Sequence, residues 1–229
     1  MSLQFIAPTV TGASPVAESP VLAAAVHTGA IAGVRDGWMV PVSFGDEAAE
    51  LRALGQTVGV ADASPLLKTE MHGEADVISA LAGGLKFGTA LPSARGWWCP
   101  LAPTRALLIG APPVSSQLAG ISTVDVTSQF CAIRIGGPRT RELVSRFCAL
   151  DLRPQVAPPR SVRPGSVART PGLVLVETTD RLLILVGAAY AEYLWTVVTD
   201  AAMHLDGRPV GWDLLHRESI RPEETPAHA

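Results

Sequence analysis

The stretch VDVTSQFCAIRIGGPRTRELVSRFCALDLRP (residues 124–154) places an acid beside hydroxyls, an alternating apolar run, two glycines and a helical pattern in succession. An earlier stretch, VADASPLLKTEMHGEADVISALAGG (60–84), has the same layout in fainter form. Asp62 and Ser64 precede LLKTEM, and Gly73 falls eleven positions after the acid; Asp125 and Thr127 precede FCAIRI, and Gly136 again falls eleven positions after it. A helical pattern follows each glycine, over 74–82 and over 138–149. The second has Pro138 at the favoured first position and Leu143, Val144, Phe147 and Leu150 at core-facing spacing.

The parallel continues outward. APTRALLIG (102–110) and ETTDRLLILVG (177–187) are each a polar turn, an arginine, an aliphatic strand and a glycine. After Gly187 the pattern predicts a helix over 188–205, with Tyr190, Leu194, Val197, Val198, Ala201 and Leu205 on one side and Gly207 beyond its end. After Gly110, Pro112 and Pro113 leave room for only a short helix. Upstream, 19–30 reads as helical, 37–45 as extended, and 46–54 as a short helix capped by Asp46 and stopped by Gly55. Each unit runs strand, helix, hairpin, helix. Two such duplicated units predict an α+β domain of mostly antiparallel sheet with helices on its faces. Residues 1–18 read as a flexible arm, 19–215 as the domain, and 216–229 as a flexible tail.

Composition narrows the function classes. A chain of 229 residues can bury a real core. Hydrophobic residues make up 48% but aromatic ones only 5%, so Ala, Val and Leu must fill it. No apolar run reaches membrane-spanning length, and no signal peptide is expected, since a basic n-region is lacking and Glu18 and Pro20 interrupt the first apolar stretch. Cys99, Cys131 and Cys148 cannot all pair and show no metal-like spacing, which reads as reduced thiols in a cytoplasm. A formal charge of −3 argues against general nucleic-acid binding. Yet 77–124 holds no acid against Lys86, Arg95 and Arg105, and 152–176 holds none against Arg153, Arg160, Arg163 and Arg169. Two such segments suit an anionic ligand or an acidic partner, or are simply solvated loops.

Few residues point to chemistry. In RGWWCP (95–100), Trp97 and Trp98 on a strand face opposite sides, so one can meet a ligand or partner while the other enters the core. Cys99 would be reactive only if Arg95 or Arg105 stabilised its thiolate; otherwise it is a small buried hydrophobe. Asp62 and Asp125 stand at the same point of each unit. A catalytic group is needed once, whereas a group the fold needs recurs, so both read as Asx turns. The GGP at 136–138 is a turn and helix start whose amides could meet an anion. His27, His72, His204, His216 and His228 are scattered, and no metal site is expected. Patterns for common hydrolases, dinucleotide enzymes and NTPases are absent.

Residues 19–64, with Gly37, Trp38, Pro41, Phe44, Gly59, Asp62 and Ser64 in order, resemble the start of the glycine-cleavage T-protein, the tetrahydrofolate-dependent aminomethyltransferase. From about 97 onward, PLAPTRALLIGAPP, the 124–154 stretch and LVLVETTDRLLILVGAAYAEYLWTVVTDAA are more similar to the gamma subunit of heterotetrameric sarcosine oxidase. The resemblance implies a T-protein-like folate-binding domain over roughly 19–205, without the C-terminal barrel. It implies tetrahydrofolate as the ligand, and as partner either a second copy or a larger one-carbon or flavin oxidase subunit. The segment that carries the family's catalytic aspartate lies within the acid-free 77–124, so no catalytic residue is assigned. The family's GYTGE element is replaced by VETTDRLL, where Glu177 and Asp180 are the candidates to stand in for its glutamate. Trp97, Trp98, Arg105 and Glu177 are the expected ligand-anchoring residues. The reading is a folate-pocket or assembly subunit in methylamine- or sarcosine-type one-carbon metabolism. The alternative is a stand-alone tetrahydrofolate-dependent transferase with a changed site. A repair-associated branch is disfavoured because its K-G-C-Y-x-G-Q motif is missing.

Overall fold

The computed structural model describes residues 16–81, 84, 86–93, 96–110 and 120–218. Most of the expected arm and tail, Arg95, and the stretch after Gly110 therefore lie outside the described residues. The chain begins with β1 (Ala17–Glu18), α1 (Leu22–His27), β2 (Ile31–Arg35) and β3 (Trp38–Ser43), the strands forming a small sheet in the order β1–β3–β2. The helix expected over 19–30 is shortened at its start because the Ser19 amide donates to Met39 O instead. Next comes α2 (Glu47–Gln56), capped as expected by Asp46, whose Oδ1 accepts from the Ala49 amide at 2.9 Å. Gly55 does not stop this helix, which runs one residue past it.

The first of the two similarly patterned units supplies β4 (Gly59–Asp62), β5 (Lys68–Gly73), α3 (Ala75–Leu81), β6 (Leu91–Ser93), β7 (Gly96–Ala102) and β8 (Arg105–Ile109). The second supplies β9 (Ile121–Asp125), β10 (Phe130–Gly136), α4 (Thr140–Ser145), β11 (Val162–Val167), β12 (Thr170–Val176) and β13 (Arg181–Gly187). The chain continues through α5 (Ala191–Met203), β14 (Arg208–Pro209) and α6 (Trp212–Glu218). Two helices differ from expectation. Pro138 is not the first residue of α4, because Gly137 makes a turn there with φ +124°, where a Cβ would stand 2.6 Å from Thr57 O. The same helix ends early, since Cys148 turns to bridge Val167. The helix expected from 188 opens as one 3-10 turn before α5. Tyr190 in that turn is exposed, and Trp195 takes the central buried place.

The sheets show how the two units engage. One has the order β6–β7–β8–β5–β9, the other β11–β12–β13–β10–β4–β14. In each, four strands come from one unit and a fifth from the other: β9 crosses to pair with β5, and β4 crosses to pair with β10. The crossing points are the two Asx turns. Asp62 Oδ1 accepts from the Ser64 amide at 2.9 Å, and Asp125 Oδ1 from the Thr127 amide at 2.8 Å. The hydroxyl of each turn then reaches the other unit: Ser64 Oγ accepts from the Ala132 amide at 3.1 Å, and Thr127 Oγ1 from the Lys68 amide at 3.0 Å.

Side-chain alternation stacks these sheets. On β10, Cys131, Ile133 and Ile135 face the cluster under α4 and α5, with Leu143, Val144, Leu194, Trp195 and Val198. Ala132, with Leu173, Leu175, Leu183 and Leu185, faces the five-stranded sheet, meeting Cys99, Leu107 and Ile109. On the far side of that sheet, Met71, Trp98, Ala106 and Leu108 pack under Ile78 of α3. The order is helices, sheet, sheet, helix, so the space between the sheets is core.

Replacing Ser64 or Thr127 by Ala leaves a buried amide of the opposite unit without its acceptor. Each variant is expected to lose about 1–3 kcal/mol of unfolding free energy, read as a lower urea midpoint with an unchanged slope.

Candidate functional site: a buried ion pair between the sheets

Arg134 is the one charged residue of β10, and strand alternation turns it inward with Ala132. Glu177 follows directly on β12. The guanidinium grips the carboxylate with two bonds, Nε to Oε2 at 2.9 Å and Nη2 to Oε1 at 2.8 Å, with both side chains 5% exposed. Trp97 on β7, in the facing sheet, donates its Nε1 to Glu177 Oε1 at 3.1 Å. One carboxylate thus ties both sheets together. A forked guanidinium pair is the geometry in which a buried carboxylate is best satisfied.

The structure brings Trp97 and Glu177 together, and it sets Trp98 and Arg105 apart from them. Trp98 points to the opposite face of β7, against Met71, Ile78 and Leu108. Arg105 lies at the other end of β8, where its Nε is 3.6 Å from Glu70 Oε1, a carboxylate that His72 also reaches at 2.8 Å. Asp180 is exposed and accepts from Thr178 Oγ1 at 2.7 Å. Cys99 lies in the inter-sheet core, where burial first, and the Glu177 charge second, push its thiol up to about 12. Such a thiol is not prepared as a nucleophile. Arg134 was missed by sequence reasoning, although a lone charge within the alternating FCAIRI was its available signal.

A second buried polar group sits at the strand crossing. Lys68 is fully buried, and its Nζ donates to Ser64 O at 2.7 Å, Leu66 O at 2.9 Å and Thr127 O at 3.3 Å. Burial lowers its pKa to about 8, with Asp62 pulling the other way. Burial likewise raises the Asp62 carboxyl, against the opposing pull of Ser19, Ser64 and Lys68. Asp125, at the surface, is lowered by its bonds with Thr127. Elsewhere, a cleft of about 650 Å³ opens between α2 and α5, lined by Phe44, Arg52, Gln56, Asp200 and Arg208, away from Trp97 and Glu177. Among the described residues no three or more His, Cys, Asp or Glu side chains gather as a metal cluster. No described helix is long and apolar enough to cross a membrane.

With this geometry in place, known structures identify the class of fold. A chain of heterotetrameric sarcosine oxidase from Corynebacterium sp. U-96, solved in complex with pyrrole 2-carboxylate, matches with a TM-score of 0.60 at 18% identity, over 72% of this chain and 93% of that one. The glycine cleavage system aminomethyltransferase T of Bartonella henselae matches with a TM-score of 0.69 at 15% identity, over 90% of this chain. This chain spans 62% of that aminomethyltransferase. No family model matches the sequence, and no curated protein does. The mixed α/β fold is therefore of the T-protein-like kind.

Two outcomes test the buried groups. Arg134→Met, which strands Glu177, is expected to lose about 3–5 kcal/mol, while Arg134→Met with Glu177→Leu recovers most of it; chemical denaturation reads both. Lys68 holds its proton less tightly folded than unfolded, where the ordinary value of 10.5 applies. The unfolded chain therefore binds more protons between pH 8 and 10.5, and this group makes stability rise across that window. The buried Cys99 and Cys131 thiols, raised from 9.0 to about 12, act oppositely between those values. The unfolding free energy of the natural chain minus that of Lys68→Met should thus climb from pH 8 to 10.5, by up to about 3 kcal/mol.

Proposed function

We propose that this chain is an assembly subunit in one-carbon metabolism of the sarcosine or methylamine type, built on a duplicated T-protein-like scaffold over 19–215 and lacking aminomethyl-transfer chemistry. The observation that carries this reading is the shared fold covering 93% of a chain from a heterotetrameric oxidase. The duplication is supported by the matching order of the two sheets and the reciprocal Asx turns. The absence of any acid from 77–124 supports the loss of transfer chemistry, because a carboxylate is needed there to hold and polarise an amine. Three buried, unpaired thiols suit a reducing cytoplasm.

Tetrahydrofolate, if bound, meets a restricted site. The half-buried ring of Trp97 offers a stacking surface, and Trp98 supports the strand from behind. Glu177 does not fit the role of a carboxylate that grips a ring amine. Both its oxygens are committed to Arg134, and one also to Trp97. Arg105 stands too far along its strand to complete such a pocket and serves instead at the surface beside Glu70. The partner role is accordingly favoured over a stand-alone transferase.

Expression with its genomic neighbours should co-purify the chain with a larger flavin-containing subunit, and isolated tryptophan fluorescence should not respond to millimolar tetrahydrofolate. A homogeneous free oligomer, together with a saturable quench that Trp97→Phe abolishes, would replace this reading with a folate-binding one.

A further inference from the structure

The two acid-free segments, far apart in sequence, meet in the structure. Val162 N donates to Gly88 O at 2.9 Å, Ala90 N donates to Arg160 O at 2.6 Å, and Thr89 bridges Ser161. Arg163 fastens the junction through Nη1 to Gly88 O at 2.7 Å and Nη2 to Val156 O at 2.6 Å. Arg141 crosses from α4 to Ala157 O at 3.1 Å and Thr179 O at 3.2 Å. Both arginines spend their donors on carbonyls, so their charges are not cancelled. Lys86 and Arg160 are exposed and have no carboxylate partner among the described residues. The bordering acids are largely occupied: Asp151 is closed by Arg153 and Glu177 by Arg134, which leaves Asp180. Phe87, 55% exposed, and Val156, 43% exposed, stand among these cations.

Arg160 adds a separate observation. Its φ is +70°, a region that favours glycine, and its backbone is held on both sides, with N–H to Val176 O at 2.7 Å and C=O to Ala90 N. Glycine would adopt this conformation at less cost, so the fold itself gives no reason for an arginine side chain there.

We infer that this junction is a docking surface for an acidic segment of another polypeptide, bearing an apolar side chain that covers Phe87 and Val156. Charge complementarity identifies the occupant: Lys86, Arg160, Arg163 and Arg141 border the junction with no carboxylate partner among the described residues, in a chain whose net charge is −3. The partner's existence rests on the assembly reading above; the location and chemistry of the surface do not. Arg169 marks its limit, since it lies in the turn at the far end of β11.

The test uses the full chain and a fluorescein-labelled peptide of alternating Glu and Leu, followed by anisotropy. Binding should weaken with salt and fall at least about tenfold in Lys86→Glu/Arg160→Glu, while Arg169→Glu leaves it unchanged. Phe87→Ser should weaken it as well. Arg160→Gly should lose affinity with no fall in melting temperature, which separates recognition from folding. Absence of peptide binding, indifference to the double charge reversal, or preference for single-stranded DNA would overturn the inference. Co-purification with a flavin subunit that survives Lys86→Glu/Arg160→Glu would place the assembly contact elsewhere and leave the assembly reading intact.

Discussion

Two hydroxyl groups hold the crossing on which both sheets depend. Ser64 accepts an amide from β10 and Thr127 accepts one from β5, while the acid two residues before each fixes its turn. Each turn sends its chain out of one sheet and into the other. Buried amides at such a crossing have no ladder partner of their own, and leaving them unpaired would be costly. The Asp-x-Ser and Asp-x-Thr patterns are therefore the chemical condition for strand exchange. Lys68 works at the same place, its ammonium closing three carbonyl oxygens that the crossing leaves turned inward.

The inter-sheet ion pair has a different character. Arg134 and Glu177 satisfy one another at a cost in desolvation that apolar residues would not incur. What the pair supplies is direction: the carboxylate fixes the Trp97 indole and so sets the facing sheet against β10 and β12. The same commitment leaves Glu177 little freedom to bind anything else. Arg134 and Trp97 together donate three hydrogen bonds to a carboxylate with about four acceptor sites, and the rest of it is buried.

Local chemistry was legible in the sequence to the extent that it was local. The Asp46 cap, the paired Asx turns, the hairpins and the opposed faces of Trp97 and Trp98 follow from neighbouring residues and strand alternation. Exchange of β4 and β9 between sheets was not legible, because pairing partners such as Asp62 with Ile133, or Gly73 with Ile121, lie far apart in sequence and leave no local mark. Helix ends shifted where tertiary bonds took over: Ser19 joined β3, and Cys148 turned to Val167. Tyr190 fitted the helical stripe by spacing alone, but the 3-10 turn rotated it outward. At the candidate site, Trp97 and Glu177, both named from the sequence as ligand anchors, meet in a hydrogen bond, and the Arg134 that holds Glu177 was not anticipated. Arg105 and Trp98, expected beside them, are placed by the β7–β8 hairpin at the opposite end and on the opposite face.

Strand exchange also has a consequence for synthesis. The first half of the chain emerges from the ribosome with β5 lacking β9 and β4 lacking β10, and neither can be supplied from within that half. Until residue 136 is free, an apolar half-sheet must wait with an open edge, the state in which nascent chains associate wrongly. Lys68 stands on that open edge, and a lysine is a charge of the kind that keeps strand edges from pairing with other chains. The ammonium that later fills the crossing would thus guard the same strand before its partner arrives.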